Sequence, residues 1–291
     1  MIFDKKYRMS EGHAPALSWA EYKRISYVRF QELLENNDED ESIFQHFFEN
    51  NPSYVPGPFG LIGQSGHYPY AGTVISQPNL VGVTKRIPDF MWLSCDSCTI
   101  SPVLVEIEAP NKRWFNKDGT PNHQLVHALD QLSEWKQWFS NPAHQVLFYD
   151  LFNIPSSFRE GKALRPLYVL VYGRRSEFEG EAYLNQKRST LARADEFLMT
   201  YDRIVPSSDA SDMLCSKVKN GKYYAVAVPP TFTLGPALSQ YHSLINDKSE
   251  AVKNSRELPE PRKQFLLERL PYWDAYGKSN EKGIMNTGDR E

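Results

Sequence analysis

Two short apolar segments that contain acidic residues stand out in the hydrophobic and polar pattern of the chain. Residues 87–93 carry Asp89 near their start, and residues 103–110 carry Glu106 and Glu108. Both segments are rich in β-branched and aromatic residues, and a short polar stretch separates them. This pattern predicts two strands joined as an antiparallel hairpin.

The acidic side chains of this hairpin are expected on one face of the sheet. Residues two positions apart on a strand point to the same side, so Glu106 and Glu108 should lie side by side. Leu104 belongs to the same face, and the opposite face should carry Val103, Val105 and Ile107. A turn centred near Ser97 and Cys98 places Asp89 opposite Glu106. If the strands pair so that the two residue numbers of each pair add up to two more, Asp89 lies opposite Glu108. Either register gathers three carboxylates on one patch.

A cluster of three charged carboxylates beside apolar side chains is unstable on its own, because the charges repel and resist the loss of hydration. It persists when some acids stay protonated or when a cation lies among them. A hard divalent cation with oxygen ligands is the simplest solution, and we expect one because the acids interrupt strongly apolar strands. The alternative is that this face of the hairpin is solvated and that the acids keep the protein soluble.

Helical periodicity predicts helices before and after the hairpin. The first covers residues 19–34, with Ser18 as N-cap and Tyr22, Ile25, Val28 or Phe30, Leu33 and Leu34 as the apolar positions. The second covers residues 41–50 and is stopped by Asn51 and Pro52. The third covers residues 123–140, with Asn122 as N-cap. Glu41 precedes Phe44 by three residues, so its side chain lies on the buried side and can reach inward. A first-turn Glu is also what the helix dipole favours, and this alternative stays open. Gln131 lies on the flank of the apolar stripe of its helix, where a helix borders a cleft.

The remaining chain is expected to add strands and helices to the same sheet. Strands are predicted at 167–172 and 222–229, helices at 181–200 and 262–270, and a disordered tail at 277–291. This order predicts an α/β protein with a mixed sheet flanked by helices. We divide the chain into an N-terminal helical extension at 1–36, a central domain at 37–232 and a C-terminal extension at 233–291, which holds the short helix and the flexible tail.

Length and composition agree with a folded globular protein: the chain has 291 residues, of which 41% are hydrophobic. No apolar run is long enough to span a membrane, and the first residues lack the apolar core of a signal peptide. A cytoplasmic protein without membrane contact is therefore expected. The glycine-rich phosphate-binding motifs GxGxxG and GxxxxGK[ST] are both missing from the sequence, so no nucleotide cofactor is expected.

Two other residue spacings suggest zinc but are incomplete. Cys95 and Cys98 have CxxC spacing without a second pair, and Cys215 stands alone, so a turn with incidental thiols is favoured over a four-ligand zinc site. His123 and His127 are four residues apart, but a Gln follows His123 where a zinc protease needs Glu as base. Polar-face histidines account for this pair.

The formal net charge of −3 argues against a protein that is covered in positive charge for nucleic-acid binding. Any contact with a polyanion must therefore be local. The candidate patches are Lys112-Arg113, Arg174-Arg175, Lys187-Arg188 with Arg193, Lys217/Lys219/Lys222 and Arg262-Lys263. Each patch alone fits a solvated surface better than a contact with a polyanion.

The order of these features resembles the PD-(D/E)xK nuclease superfamily, and within it the Shedu immune nuclease domain of bacterial anti-phage defence. The resemblance rests on residues 41–205 and leaves the two ends of the chain uncovered. The residues that carry it are Pro88-Asp89, Val105-Glu106-Ile107-Glu108-Ala109-Pro110, Glu41-Ser42-Ile43-Phe44-Gln45 through Asn51-Pro52, Gln131 through Trp135, Gly173-Arg174-Arg175 and Thr200-Tyr201-Asp202.

The resemblance implies a restriction-endonuclease-like fold and a metal site. Asp89, Glu106 and the carbonyl of Ile107 are expected to hold Mg²⁺ or Mn²⁺. The lysine of the superfamily motif corresponds to position 108, where this chain has Glu. Glu108 can take a proton from the attacking water or bind a second metal, but it cannot offset negative charge as lysine does. Lys112 is the nearest following cation, although the turn at Pro110 leaves its direction open.

The implied activity is Mg²⁺-dependent endonuclease cleavage of DNA, that is, hydrolysis of a phosphodiester bond. Glu41 would help to hold a second ion, and Gln131 would orient the water or the phosphate. The cations Lys112, Arg113, Arg174 and Arg175 would contact the DNA backbone without reading its sequence. A homo-oligomer is expected, because a single subunit of this net charge should hold DNA weakly at physiological salt. The alternative is a catalytically inactive nuclease-fold module that binds DNA ends or a partner protein.

Overall fold

A single mixed β-sheet forms the centre of the protein. The computed structural model describes residues 4–59, 61, 68–81 and 87–291. The strands of the described part are β1 (Thr73–Ser76), β2 (Phe90–Cys95), β3 (Thr99–Ile107), β4 (Ala163–Leu164), β5 (Leu167–Val171), β6 (Glu196–Met199), β7 (Leu214–Lys219), β8 (Lys222–Ala227) and β9 (Ile245–Asn246). Their order in the sheet is β6-β5-β3-β2-β1-β7-β8-β9, and β4 pairs with the start of β3.

Helices flank this sheet. Those of the described part are α1 (Trp19–Asn36), α2 (Glu41–Asn50), α3 (His123–Ser140), α4 (Pro142–Leu151), α5 (Ser156–Arg159), α6 (Ala182–Ser189), α7 (Pro236–His242), α8 (Lys248–Asn254) and α9 (Glu260–Lys278). The oxygens of Ser18 and Asn122 cap α1 and α3 as predicted. The mixed α/β architecture predicted from the sequence is thus confirmed. No helix of the described residues is long and apolar enough to cross a membrane.

Strands β2 and β3 form the predicted antiparallel hairpin, with the first of the two predicted registers. Phe90 pairs with Val105, so Asp89, one residue earlier, stands level with Glu106. The strands reach closer to the turn than predicted, because β2 continues to Cys95 and β3 already begins at Thr99. The turn is tight because the side chain of Asp96 accepts hydrogen bonds from the backbone N–H groups of Cys98 and Thr99.

The two faces of β3 pack in different layers, as its alternation predicts. Leu104 lies in the apolar cluster that also holds Leu125 and Leu132 of α3. Val105 lies in the cluster of the opposite face, against Phe44 and other phenylalanines of α2. The face of Glu106 is therefore the face covered by α3.

Parallel strands give the sheet one common end. Strands β3, β5 and β6 are parallel to one another, and Ile107, Val171 and Met199 stand level across them. The chain segments that follow these three residues therefore leave the sheet at the same end. This end carries the acidic residues of the hairpin.

Two predicted helices differ from the structure. The helix predicted at 181–200 is wrong beyond Ser189, because residues 196–199 form β6 beside β5. The backbone groups of residues 196–199 are satisfied by pairing with the edge of β5. The spacing of apolar residues in the sequence does not reveal this pairing. On α1, Ile25 and Val28 are exposed rather than buried, and the buried side of this helix is carried by Tyr22, Ser26, Phe30 and Leu34.

The C-terminal segment is more ordered than predicted. Helix α9 spans Glu260–Lys278 instead of the predicted 262–270, and the prediction of a disordered tail at 277–291 is wrong. The side chain of Glu291 is buried, and it accepts hydrogen bonds from Arg269 at 2.7 Å and from Trp273 Nε1 at 2.7 Å. A buried ion pair with helix α9 therefore holds the end of the chain. The division into a central domain with two extensions stays a prediction.

Candidate active site

Four acidic residues from three parts of the chain meet at the common end of the parallel strands. Asp89 immediately precedes β2, Glu106 lies in β3, and Glu108 directly follows β3, with its N–H bonded to the carbonyl of Val171 at 2.9 Å. Glu41 is the first residue of α2. The N–H of Asn111 donates to the carbonyl of Asp38 at 3.0 Å, which brings the start of α2 to the loop after β3.

Asp89 and Glu106 each accept a hydrogen bond that holds the carboxylate in place. The backbone N–H of Ile107 donates to Asp89 Oδ2 at 2.8 Å, which ties the carboxylate to the neighbouring strand. The amide of Gln131 donates to Glu106 Oε1 at 2.6 Å. The second oxygen of Glu106, Oε2, is buried and has no hydrogen-bond partner among the described residues. A buried carboxylate oxygen in this state is available for a cation.

Lys112 turns back into the acidic cluster. Its backbone N–H donates to the carbonyl of Ala109 at 3.1 Å, so the chain reverses at Pro110. The ammonium group contacts the carboxylate of Glu108 and lies 3.8 Å from Glu41 Oε2. The direction of Lys112, which the sequence left open, is therefore toward the acids.

Burial and mutual repulsion both oppose the charged forms of the acids in the cluster. Burial raises the pKa of Asp89 to about 7, and the nearby charges of Glu41 and Glu108 act in the same direction, against the hydrogen bond from Ile107. Burial and the neighbouring acids raise the pKa of Glu106 well above its ordinary value. The pKa of Glu41 is raised as well, first by burial and then by Glu108. Lys112 alone does not neutralise the four acids.

The cluster is closed at one end and open at the other. The residue Glu106 is only 8% exposed under α3, and Glu108 is also buried. In contrast, the side chains of Glu41 and Lys112 are 45% and 24% exposed. A phosphate group can therefore approach the acids from the side of Glu41 and Lys112.

The residues present fit a divalent cation with oxygen ligands. As the side chains stand in the described part of the chain, no three His, Cys, Asp or Glu residues converge on one ion position. The expected ligand set needs two carboxylates, those of Asp89 and Glu106, and the backbone carbonyl of Ile107. Two observations fit this ligand set. Glu106 Oε2 has no hydrogen-bond partner among the described residues, and the pKa of Asp89 is raised, as expected for carboxylates whose balancing cation is not bound.

Comparison with known proteins assigns the chain to a family. A sequence profile described as Shedu protein SduA, C-terminal, matches residues 38–205, which is more than half of the chain. The chain belongs to the Shedu family. Family membership supports a role in anti-phage defence, and the matched region includes all four acids of the cluster. No curated protein matches the sequence.

Tyr201 of this Shedu-family chain lies near the acidic cluster, and the sequence reasoning left it without a role. Its ring packs against Phe44 of α2 at 4.9 Å, three residues from Glu41. Its hydroxyl is buried and has no hydrogen-bond partner among the described residues. Burial first, and then the charges of Glu41, Asp89 and Glu108, raise the pKa of this phenol well above its ordinary value. The only signal in the sequence is the Thr200-Tyr201-Asp202 segment itself.

The predicted DNA-contacting cations of this Shedu-family chain differ in how free they are. The guanidinium of Arg174 donates to Asp202 at 2.9 Å and to the carbonyl of Leu34 at 3.2 Å, so it ties two loops and α1 together. Arg175 is exposed. The Arg113 side chain is exposed and lies 3.8 Å from Glu177. Lys112 is engaged by the acids described above.

Proposed function

We propose that this Shedu-family chain is an endonuclease that hydrolyses DNA phosphodiester bonds with a bound divalent cation, Mg²⁺ or Mn²⁺. One observation carries the proposal: Asp89 and Glu106 stand level on the β2–β3 hairpin, and Glu106 Oε2 is buried with no hydrogen-bond partner among the described residues. Two neighbouring carboxylates, one buried and one half-buried, are costly to the fold when both are charged, and binding a cation relieves that cost.

The chain's own residues prepare this site for an ion. Asp89, Glu106 and the carbonyl oxygen of Ile107 would hold it. A divalent cation supplies Lewis-acid polarisation of a phosphate oxygen in such a site. The hydrogen bonds from Ile107 to Asp89 and from Gln131 to Glu106 fix both carboxylates before the ion binds. Gln131 leaves the second oxygen of Glu106 free for this role.

The remaining acids suit proton transfer. Glu108 stands beside Glu106 on the same edge of the sheet and can accept the proton that the attacking water loses. Glu41, which is partly exposed, can orient that water or share in binding a second ion. Glu41 lies at the open end of the cluster, where water and a DNA phosphate can enter, and Glu108 lies in its buried part.

Lys112 supplies the positive charge that position 108 lacks. Its ammonium group reaches the cluster from four residues downstream and touches Glu108. When a phosphate enters, the ammonium can move from the carboxylate to the phosphate oxygens and offset the negative charge that grows in the transition state. The partial exposure of Lys112 leaves room for this movement.

Cleavage of a supercoiled plasmid in Mg²⁺ or Mn²⁺ tests the proposal. The wild-type protein should nick or linearise the plasmid, and Asp89→Asn and Glu106→Gln should each reduce the rate by at least about 100-fold. Glu35→Gln, which removes one exposed acid of α1, is the matched control and should cleave like wild type. Equal cleavage by wild type and both site variants, or none by any protein with either ion, would refute it.

A second candidate function is a nuclease-fold module that binds DNA ends or a partner protein without cleaving. The observation in its favour is the Glu108–Lys112 ion pair, which occupies both groups in the absence of substrate. This candidate predicts DNA binding that is independent of divalent ions, together with no cleavage. Self-association stays a prediction that mass photometry of the purified protein tests.

A further inference from the structure

Three arginines from separate chain segments are brought together at the end of the sheet that carries the acidic cluster. The backbone N–H of Arg175 donates to Asp202 Oδ2 at 2.6 Å, which places Arg175 next to Arg203 across two loops. The guanidinium of Arg188 in α6 lies over the ring of Phe178 at 4.5 Å. Phe178 ends the helical turn that Arg175 begins, so the stacking holds Arg188 near the other two.

Among the described residues, no acid forms an ion pair with these three arginines. In the described part of the chain none of the three guanidinium groups forms an ion pair or a hydrogen bond, whereas the neighbouring Arg174 is fully used by Asp202. Partial burial, and then the positive charges of Arg175 and Arg203, lower the pKa of Arg188. A group of like charges without a counter-ion favours an anion, and arginine forks match the geometry of phosphate oxygens.

The three arginines lie at the same end of the sheet as the acids. Arg175 follows β5 by four residues and Arg203 follows β6 by four residues, and these strands are parallel to β3 and level with it at Val171 and Met199. The N–H of Tyr201 donates to the carbonyl of Gly173 at 3.2 Å, which keeps the two loops side by side. A polyanion that occupies the acidic cluster can therefore continue across them.

We propose that Arg175, Arg188 and Arg203 form a binding site for the DNA backbone, which holds phosphates next to the one being cleaved. The inference rests on the proposed nuclease function and names the residues that position its substrate. The site contacts phosphates only, so it binds DNA of any sequence. It assigns Arg188 and Arg203 to this role and separates Arg175 from Arg174, which holds the loops in place.

The salt dependence of DNA binding tests the inference. A fluorescent duplex oligonucleotide is titrated with the full-length protein in EDTA, so that no cleavage occurs, at several salt concentrations. Arg175→Gln/Arg203→Gln, which alters exposed side chains only, should bind at least about 10-fold more weakly and lower the slope of log K against log salt by about 2. Adding Arg188→Gln should lower the slope by about 1 more.

A control variant that removes the same number of positive charges is taken from the opposite edge of the sheet. Lys253→Gln/Arg256→Gln removes two exposed cations at α8, which packs at the β8 and β9 edge. Its slope should match wild type. If the arginine variants and this control have the same slope, the inference is overturned. Pyrophosphate is the second probe. It should displace the fluorescent oligonucleotide only at concentrations at least about 100-fold above that of the oligonucleotide. If pyrophosphate displaces it at the same concentration as the oligonucleotide itself, a DNA site is also overturned.

The two proposals fail in different ways. A wild-type protein that cleaves plasmid while the arginine variants bind and cleave equally well leaves the nuclease function intact and removes only the arginine site. If the wild-type protein never cleaves DNA but binds it through these arginines, the nuclease proposal is refuted and the arginine site is supported.

Discussion

The ammonium group of Lys112 contacts the carboxylate of Glu108, four residues earlier in the chain. In the motif that this chain resembles, position 108 itself carries the lysine. The backbone reversal at Pro110 returns a positive charge to nearly the same place from a later residue. A positive charge thus lies beside position 108, although the carboxylate of Glu108 offsets it there.

This relationship predicts a rescue experiment. Lys112→Met should reduce plasmid cleavage by roughly 100-fold, because the transition-state charge loses its counter-charge. Adding Glu108→Lys to that variant should restore only part of the rate, since it returns lysine to the strand but removes the carboxylate that we propose as proton acceptor. Lys117→Met, in the same loop and exposed, is the control. Full activity of Lys112→Met on its own would show that this ammonium group has no part in cleavage.

Removal of the Tyr201 hydroxyl separates stability from activity. The hydroxyl is buried without a partner among the described residues, so Tyr201→Phe should leave the free energy of unfolding unchanged or raise it by up to about 1 kcal/mol. Cleavage should stay close to the wild-type rate, because a hydroxyl buried in this way does not meet an incoming water or phosphate. Thermal melting and nicking rates measure the two effects. A large loss of stability would mean that the hydroxyl has a structural partner.

The pKa of Asp89 predicts how stability depends on pH without divalent ions. Its value of about 7 in the folded protein lies above the ordinary 3.8, so the folded state keeps the proton longer than the unfolded state. The contribution of Asp89 is therefore full below pH 3.8 and is lost as the pH rises through about 7. In EDTA, the stability of wild type relative to Asp89→Asn should fall from pH 4 to pH 8 in urea denaturation.

Mg²⁺ should reverse this loss in wild type. Above pH 7 the ion replaces the missing proton, so the wild-type melting temperature should rise with Mg²⁺ concentration, and that of Asp89→Asn should rise much less. Glu35→Gln again serves as the control for a changed acid elsewhere. An equal Mg²⁺ response in Asp89→Asn and wild type would place the ion away from this carboxylate.

The buried pair of Glu291 and Arg269 predicts that the end of the chain stabilises the fold. Glu291→Gln should lower the free energy of unfolding by about 2 kcal/mol, because Arg269 keeps a partly buried charge without its partner. Burial opposes the ionised form of Glu291, but the hydrogen bonds from Arg269 and Trp273 lower its pKa overall. The difference between wild type and the variant should therefore shrink as the pH falls below about 4. An unchanged stability at neutral pH would mean that this contact is loose in solution.

Local patterns were sufficient for the parts of the fold whose signals lie close together in the chain. The alternation of β3 indicated which side chains share the face of Glu106, and the short polar turn limited its register with Asp89 to two, of which the structure has the first. The capping residues Ser18 and Asn122 marked the starts of α1 and α3. These features depend on neighbours a few residues away, and such neighbours are visible in the sequence.

Contacts between distant segments were not visible in the same way. Residues 191–198 have a helix-like apolar spacing, but pairing with β5 makes β6 from the last of them. Arg269 and Trp273 hold the side chain of Glu291 by hydrogen bonds, and the polar C-terminal sequence does not indicate these contacts. Tertiary contacts decide both cases.

The same distinction applies to the candidate site. Asp89, Glu106 and Glu108 could be placed together because two neighbouring strands carry them. The return of Lys112 depends on the geometry of one tight turn, and the approach of Tyr201 depends on its packing against Phe44. Neither leaves a periodic signal in the sequence.

Diffraction from crystals grown with Mn²⁺ tests the central claim most directly. The account predicts an anomalous peak within bonding distance of the carboxylates of Asp89 and Glu106 and of the carbonyl oxygen of Ile107 in the wild-type protein. The peak should disappear in Asp89→Asn. Wild-type crystals with no peak at these oxygens, at Mn²⁺ concentrations that support plasmid cleavage, would contradict it.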